Sequence, residues 1–149
     1  MDEKLLHILL VDDDEVDVMN VQRAFKKNNI INPLYVANNG LEALALLRGQ
    51  GTAAIPGPRR LILLDLNMPR KDGREALREI KADPDLRRIP VVVLTTSQAD
   101  TDIGGIYELG ANSFICKPVK YDSLVKVMRV LGEYWFRTVE VPGPKRTGL

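Results

Sequence analysis

The chain has 149 residues, 45% of them hydrophobic and 28% charged, about the length of one domain and enough to bury a sizeable core. Its 21 Lys and Arg stand against 20 Asp and Glu, and a net charge of +1 supplies no attraction for nucleic acid or a membrane surface, so neither is expected as a partner. The single Cys116 excludes an intramolecular disulfide, Met1-Asp2-Glu3-Lys4 has no apolar signal core, and no run approaches the ~18 apolar residues of a membrane span, so a reducing cytoplasm is the expected location.

Ile8-Leu9-Leu10-Val11 reads as a strand buried on both faces and ends on Asp12, Asp13 and Asp14. Asp14 can cap a helix from Glu15 to about Asn28, in which Val18, Val21 and Phe25 keep helical spacing. Pro33 to Ala37 is a short strand. Asn38-Asn39-Gly40 turns into a second helix closed near Gly49, and the Gly- and Pro-containing stretch from Gln50 to Arg60 reads as an exposed loop with little to bury. Leu61-Ile62-Leu63-Leu64 is the central strand, and it delivers Asp65 at its carboxyl end before Pro69 and Lys71-Asp72-Gly73 turn the chain.

A third helix follows Gly73 and stops at Asp83-Pro84, because the residue before a proline disfavours helical geometry. Val91 to Thr95 is a buried strand ending on hydroxyls. Asp100 or Asp102 caps a fourth helix weakened by Gly104-Gly105, Ser113 to Cys116 is a short strand broken by Lys117-Pro118, and a last helix spans about Tyr121 to Phe136. Cys116 reads as a small buried apolar residue, and His7 as a packed or edge residue. Strands alternating with helices predict an α/β fold, a doubly wound five-stranded parallel sheet flanked by five helices, with residues 1–136 as one domain. Residues 137–149 form a C-terminal extension, part extended and part flexible.

In open α/β sheets ligands bind at the carboxyl ends of the strands. Asp12, Asp13 and Asp65 brought together there would repel one another unless a cation relieved them, and an all-oxygen set suits a hard divalent ion such as Mg²⁺ (or Mn²⁺). Asp65 is then positioned as a carboxylate nucleophile for a phosphoryl group, with Lys117 as a positive point charge and Thr95 as a hydrogen-bond donor to a phosphoryl oxygen. Each part alone also has a plain reading: Asp12 to Asp14 as capping acids, Asp65 as a strand-end acid, Thr95-Thr96-Ser97 as turn chemistry, Lys117-Pro118 as a strand terminator.

Together, Leu10-Val11-Asp12-Asp13, Leu64-Asp65-Leu66-Asn67-Met68-Pro69 with Gly73, Leu94-Thr95-Thr96-Ser97 and Lys117-Pro118 resemble the receiver domains of two-component response regulators over about residues 5 to 133. The resemblance implies a flavodoxin-like strand order 2-1-3-4-5, phosphoryl acceptance at Asp65 from a sensor histidine kinase, and no turnover enzyme beyond self-catalysed phosphoryl acceptance and autodephosphorylation. It implies metal ligation by Asp12, Asp13, Asp65 and the Asn67 backbone carbonyl, and phosphate contacts from Thr95 and Lys117. Thr95 and Phe114 would form the switch, and the Lys117-Pro118 peptide bond would be cis. More narrowly, Asp12-Asp13-Asp14-Glu15, the long loop before Leu61, Ile89 to Ser97 and the aromatic C-terminus are similar to the single-domain regulators that serve bacterial and cyanobacterial phytochromes, which would make the kinase a phytochrome.

Tyr134-Trp135-Phe136 point to different sides of a helix, so core packing does not account for all three; a homodimer contact is one use and packing back on the same domain the other. Two further functions are weighed. A metal-dependent phosphatase with Asp65 as nucleophile would resemble the haloacid dehalogenase-type enzymes, but those place a second acid two residues after the nucleophile, where this chain has Asn67; an unphosphorylated binding module is disfavoured because no core site group is missing.

Overall fold

The computed structural model describes residues 5–50, 55–56, 58–66, 68, 72–96 and 100–143, with the backbone alone at 100–102. Its strands are β1 (Leu6–Val11), β2 (Leu34–Ala37), β3 (Arg59–Leu64), β4 (Val91–Thr95) and β5 (Ser113–Cys116), and its helices are α1 (Glu15–Lys27), α2 (Gly40–Arg48), α3 (Gly73–Ala82), α4 (Asp100–Glu108) and α5 (Tyr121–Gly132). The five strands form one parallel sheet in the order β2-β1-β3-β4-β5, as expected.

Alternation along each strand feeds two cores. Leu9, Val11, Ile62, Leu64, Val91 and Val93 face α2, α3 and α4 through Leu44, Leu47, Leu77, Ile80 and Ile106. Ile8, Leu10, Leu61, Leu63, Val92 and Leu94 face α1 and α5 through Val21, Phe25, Leu124, Met128 and Leu131. Both faces are covered, which is why these strands read as unbroken apolar runs rather than as an alternation of apolar and polar residues.

Local signals set the helix ends. The Asp14 carboxylate accepts the Val16 and Asp17 backbone N–H groups at 2.9 and 3.2 Å, and Asn39 and Asp72 cap α2 and α3 in the same way. Gly49 closes α2 with φ 70°, and α3 stops at Asp83, whose backbone is extended ahead of Pro84. His7 packs at the far rim, with Nδ1 3.0 Å from the Tyr35 hydroxyl.

Three expectations are corrected. The loop before β3 is not a stretch with little to bury: Ile55 sits in the core, and the Arg60 guanidinium donates to the Leu47 and Ile55 carbonyls at 3.1 and 2.9 Å. One apolar residue among Gly, Ala and Pro gives no periodic signal. Cys116 is exposed rather than buried, because it is the last residue of an edge strand that is only half covered. The last helix does not end at Phe136: α5 continues through a six-residue π-helical turn, Glu133–Thr138, and Val141 beyond it returns to the core while its carbonyl accepts from Arg59 Nε at 3.2 Å. Residues 144–149 lie outside the described residues.

Candidate functional site

The sheet registers bring the polar strand ends to one rim. Val11 of β1 is level with Leu64 of β3, which is level with Val93 of β4, so Asp12 and Asp65 leave adjacent strands at the same height. Backbone hydrogen bonds extend the ladder one step further: Asp65 N–H donates to the Val11 carbonyl at 2.9 Å, Asp12 N–H to Ala37 at 3.0 Å and Lys117 N–H to Thr95 at 2.8 Å. The strand ends thus hold these side chains on rigid backbone.

Carboxylate oxygens of Asp12, Asp13 and Asp65 all lie within 4.8 Å of one another. Asp12 and Asp65 are buried and Asp13 is exposed. Ligand oxygens around an octahedral Mg²⁺ stand about 3.0 Å apart when adjacent and about 4.2 Å apart when opposite, so three oxygens within 4.8 Å of one another can converge on a hard divalent cation. The Asn67 carbonyl assigned to the same shell lies outside the described residues, as does Ser97.

The Lys117 ammonium enters from β5. It donates to Asp12 Oδ2 at 2.8 Å and to Asp17 Oδ2 at 3.0 Å, and lies 4.0 Å from Asp65 Oδ2. Burial raises the Asp12 pKa above the usual carboxylate range and outweighs the opposing hydrogen bond from Lys117. Burial also pushes the Lys117 pKa down, but the hydrogen bonds and charges of Asp12, Asp17 and Asp65 together outweigh it, so the net shift is upward and the ammonium keeps its proton.

Thr95 is fully buried, and its hydroxyl has no hydrogen-bond partner among the described residues. An orphaned buried hydroxyl costs free energy, and such groups concentrate where a ligand completes them. Phe114 is half-buried against the core on the α4 side, and its backbone N–H donates to the Tyr107 hydroxyl at 3.2 Å, which ties β5 to α4.

The Lys117–Pro118 bond is a correction: no cis peptide bond occurs among the described residues, and the trans form is the one favoured at X–Pro bonds by about 0.5–1 kcal/mol. The terminal aromatics divide. Phe136 turns inward to meet Phe25 edge to face at 6.1 Å, Trp135 is half-buried, and Tyr134 stays exposed beside Val130.

Two contributors escaped the sequence reading. Asp17 looks like an ordinary acid in a first helical turn, and nothing local signals that Lys117, 100 residues away, reaches it. Gly73 reads from sequence only as part of a turn, but a Cβ there would lie 2.3 Å from the Asp65 carbonyl oxygen and 2.6 Å from Leu66 Cα, so only glycine lets α3 start against the acid's backbone.

A doubly wound sheet with an acidic cluster, a lysine and a buried threonine at its carboxyl rim defines a receiver-type protein, and the chain belongs to the response regulator receiver domain family, which it matches over residues 8–129. Among its relatives, it is 44% identical over 135 residues to the response regulator Rcp1 of Synechocystis sp., covering 91% of this chain and 92% of Rcp1. Among solved structures, the phosphorylated cyanobacterial phytochrome response regulator RcpA superposes with a TM-score of 0.85 at 41% identity, over 92% of this chain and 98% of that one. The Mn²⁺-bound form of Rcp1 superposes with a TM-score of 0.82 at 45% identity, over 93% and 99%.

Proposed function

We propose that this receiver takes a phosphoryl group from a sensor histidine kinase onto Asp65, and that the kinase is a phytochrome. The observation that carries the chemistry is the convergence of the Asp12, Asp13 and Asp65 carboxylates within 4.8 Å, with the Lys117 ammonium 4.0 Å from Asp65. The pairing is supported by the relatives, since RcpA is described as a phytochrome response regulator.

Asp12, Asp13 and Asp65 would hold Mg²⁺ or Mn²⁺, with the Asn67 carbonyl as a further ligand. The bound cation would neutralise charge on the transferring phosphoryl oxygens. An Asp65 oxygen attacks phosphorus as the bond from phosphorus to the kinase histidine nitrogen breaks, and the departing imidazole keeps the electron pair. The Lys117 ammonium and the Thr95 hydroxyl then hydrogen-bond the phosphoryl oxygens. Drawing Thr95 toward the phosphoryl group opens space on the sheet face where Phe114 packs, and Phe114 carries the change to α4 through Tyr107. The chain acts by a changed interaction surface, in the cytoplasm, and its own chemistry is confined to accepting and losing the phosphoryl group. A homodimer contact through Tyr134, with Trp135 and Phe136 as its packed support, is part of this reading. Light scattering that finds a monomer at high concentration, with and without a phosphoryl mimic, removes the dimer.

Incubation with a small phosphodonor and Mg²⁺, followed by intact-mass measurement, tests the function. One phosphoryl adduct, absent in Asp65→Asn, supports it. Continuous release of phosphate from an external ester would favour a phosphatase, and no adduct would favour an unphosphorylated binding module.

A further inference from the structure

We propose that Asp17 is a positioning residue that holds the Lys117 ammonium away from Asp65 in the resting chain and so sets how readily the phosphorylated state is reached. The inference rests on reading Asp65 as the phosphoryl acceptor.

A closed ring of hydrogen bonds fixes Asp17 where it is. Asp14 N–H donates to Asp12 Oδ1 at 2.9 Å, Asp17 N–H donates to Asp14 Oδ1 at 3.2 Å, and Lys117 Nζ donates to both Asp17 Oδ2 and Asp12 Oδ2. The start of α1 is thereby tied to the strand end that carries the acids. Within the ring the two lysine bonds differ in consequence. Asp12 belongs to the cluster around Asp65, so a lysine bonded to it stays beside the acceptor. Asp17 is not a member of that cluster and is about one-third exposed, with 34% of its side chain accessible against 8% for Lys117.

At 4.0 Å the ammonium is beyond hydrogen-bond reach of Asp65. A phosphoryl group on Asp65 takes charge-assisted bonds of about 2.7–2.9 Å. Asp17 competes with it for the ammonium's donors, since Lys117 Nζ already donates to Asp17 Oδ2 at 3.0 Å. A partly exposed ion pair of this kind is worth about 0.2–1 kcal/mol, so releasing it should favour the phosphorylated form by up to roughly fivefold. Sequence order hides the relationship, because the acid and the base lie on elements at opposite ends of the chain.

The test uses the full chain with saturating Mg²⁺ and beryllofluoride as the phosphoryl mimic. In Asp17→Asn, calorimetry should show beryllofluoride affinity tightened about two- to fivefold. The resting variant's Lys117 ¹⁵Nζ resonance should be displaced toward its position in the mimic-bound wild type. In a Lys117→Met background, Asp17→Asn should bring no such gain, because the effect passes through the lysine. Unchanged or weakened affinity in Asp17→Asn, an unmoved ammonium resonance, or an equal gain in the Lys117→Met background overturns the proposal. A wild-type chain that takes up no beryllofluoride overturns the acceptor reading itself, and Asp17's role with it.

Discussion

Gly73 and Asp65 meet backbone to backbone: the position a Cβ would take on the glycine is 2.3 Å from the acid's carbonyl oxygen, while the Gly73 N–H donates to the Leu66 carbonyl at 3.0 Å. The start of α3 therefore buttresses the loop that presents Asp65. Gly73→Ala forces backbone rather than a pliable side chain to move, and overpacking of this kind typically costs about 1–3 kcal/mol. Urea denaturation should show that loss, and phosphoryl uptake by intact mass should slow in the same variant. Uptake at the wild-type rate with unchanged stability would show that the close approach does not position Asp65.

Thr95→Val should separate the two states of the chain. Removing a buried hydroxyl with no partner among the described residues stabilises the unphosphorylated form by about 1 kcal/mol. The same change removes a hydrogen bond from the phosphorylated form and shortens its lifetime. Thermal denaturation and a time course of adduct loss read the two effects, and a parallel change in both would contradict the assignment.

Gly104 and Gly105 are exposed within α4, and among the described residues a Cβ on either meets nothing within 4 Å. Among the described residues no packing contact requires glycine there. Gly104→Ala and Gly105→Ala should each stabilise the chain by about 0.8–1.0 kcal/mol. If α4 yields during signalling, the double variant should also show less change in hydrogen exchange between resting and mimic-bound forms over residues 100–108. A destabilised double variant would show instead that the local backbone depends on glycine.

His7 gives a pH dependence with a definite sign. Burial, and secondarily the charge of Arg60, lowers its pKa in the folded chain below the ordinary value of about 6.5. The unfolded chain therefore binds a proton that the folded chain refuses as pH falls below about 6.5, and stability drops until the pH passes below the folded-state pKa. Denaturation of wild type and His7→Phe between pH 7 and 5 should show a shallower decline in the variant. Equal slopes would place the pH dependence elsewhere.

Much of this molecule was legible because its strands are covered on both faces. Leu61 to Leu64 and Val91 to Leu94 read as buried runs for that reason, and each ends on a polar residue that must lie at the rim. Asp12, Asp65, Thr95 and Lys117 were accessible from that logic together with a family resemblance. Ile55 and Val141 were not, since each is a single side chain returning to the core from a stretch without periodicity. The partner of Lys117 in α1 was hidden for a different reason: a contact 100 residues apart is set by how α1 enters from β1, not by any local pattern. Cys116 was misread because burial at the end of an edge strand depends on what covers it, not on the residue's own preference.

The most direct test is to trap the acceptor chemically. After incubation with a phosphodonor and Mg²⁺, borohydride reduces an aspartyl phosphate to homoserine, and peptide mass mapping then locates it. The account predicts homoserine at position 65 and at no other aspartate. Homoserine at position 12 or 13, or none at all in a chain that carries the adduct, would contradict it.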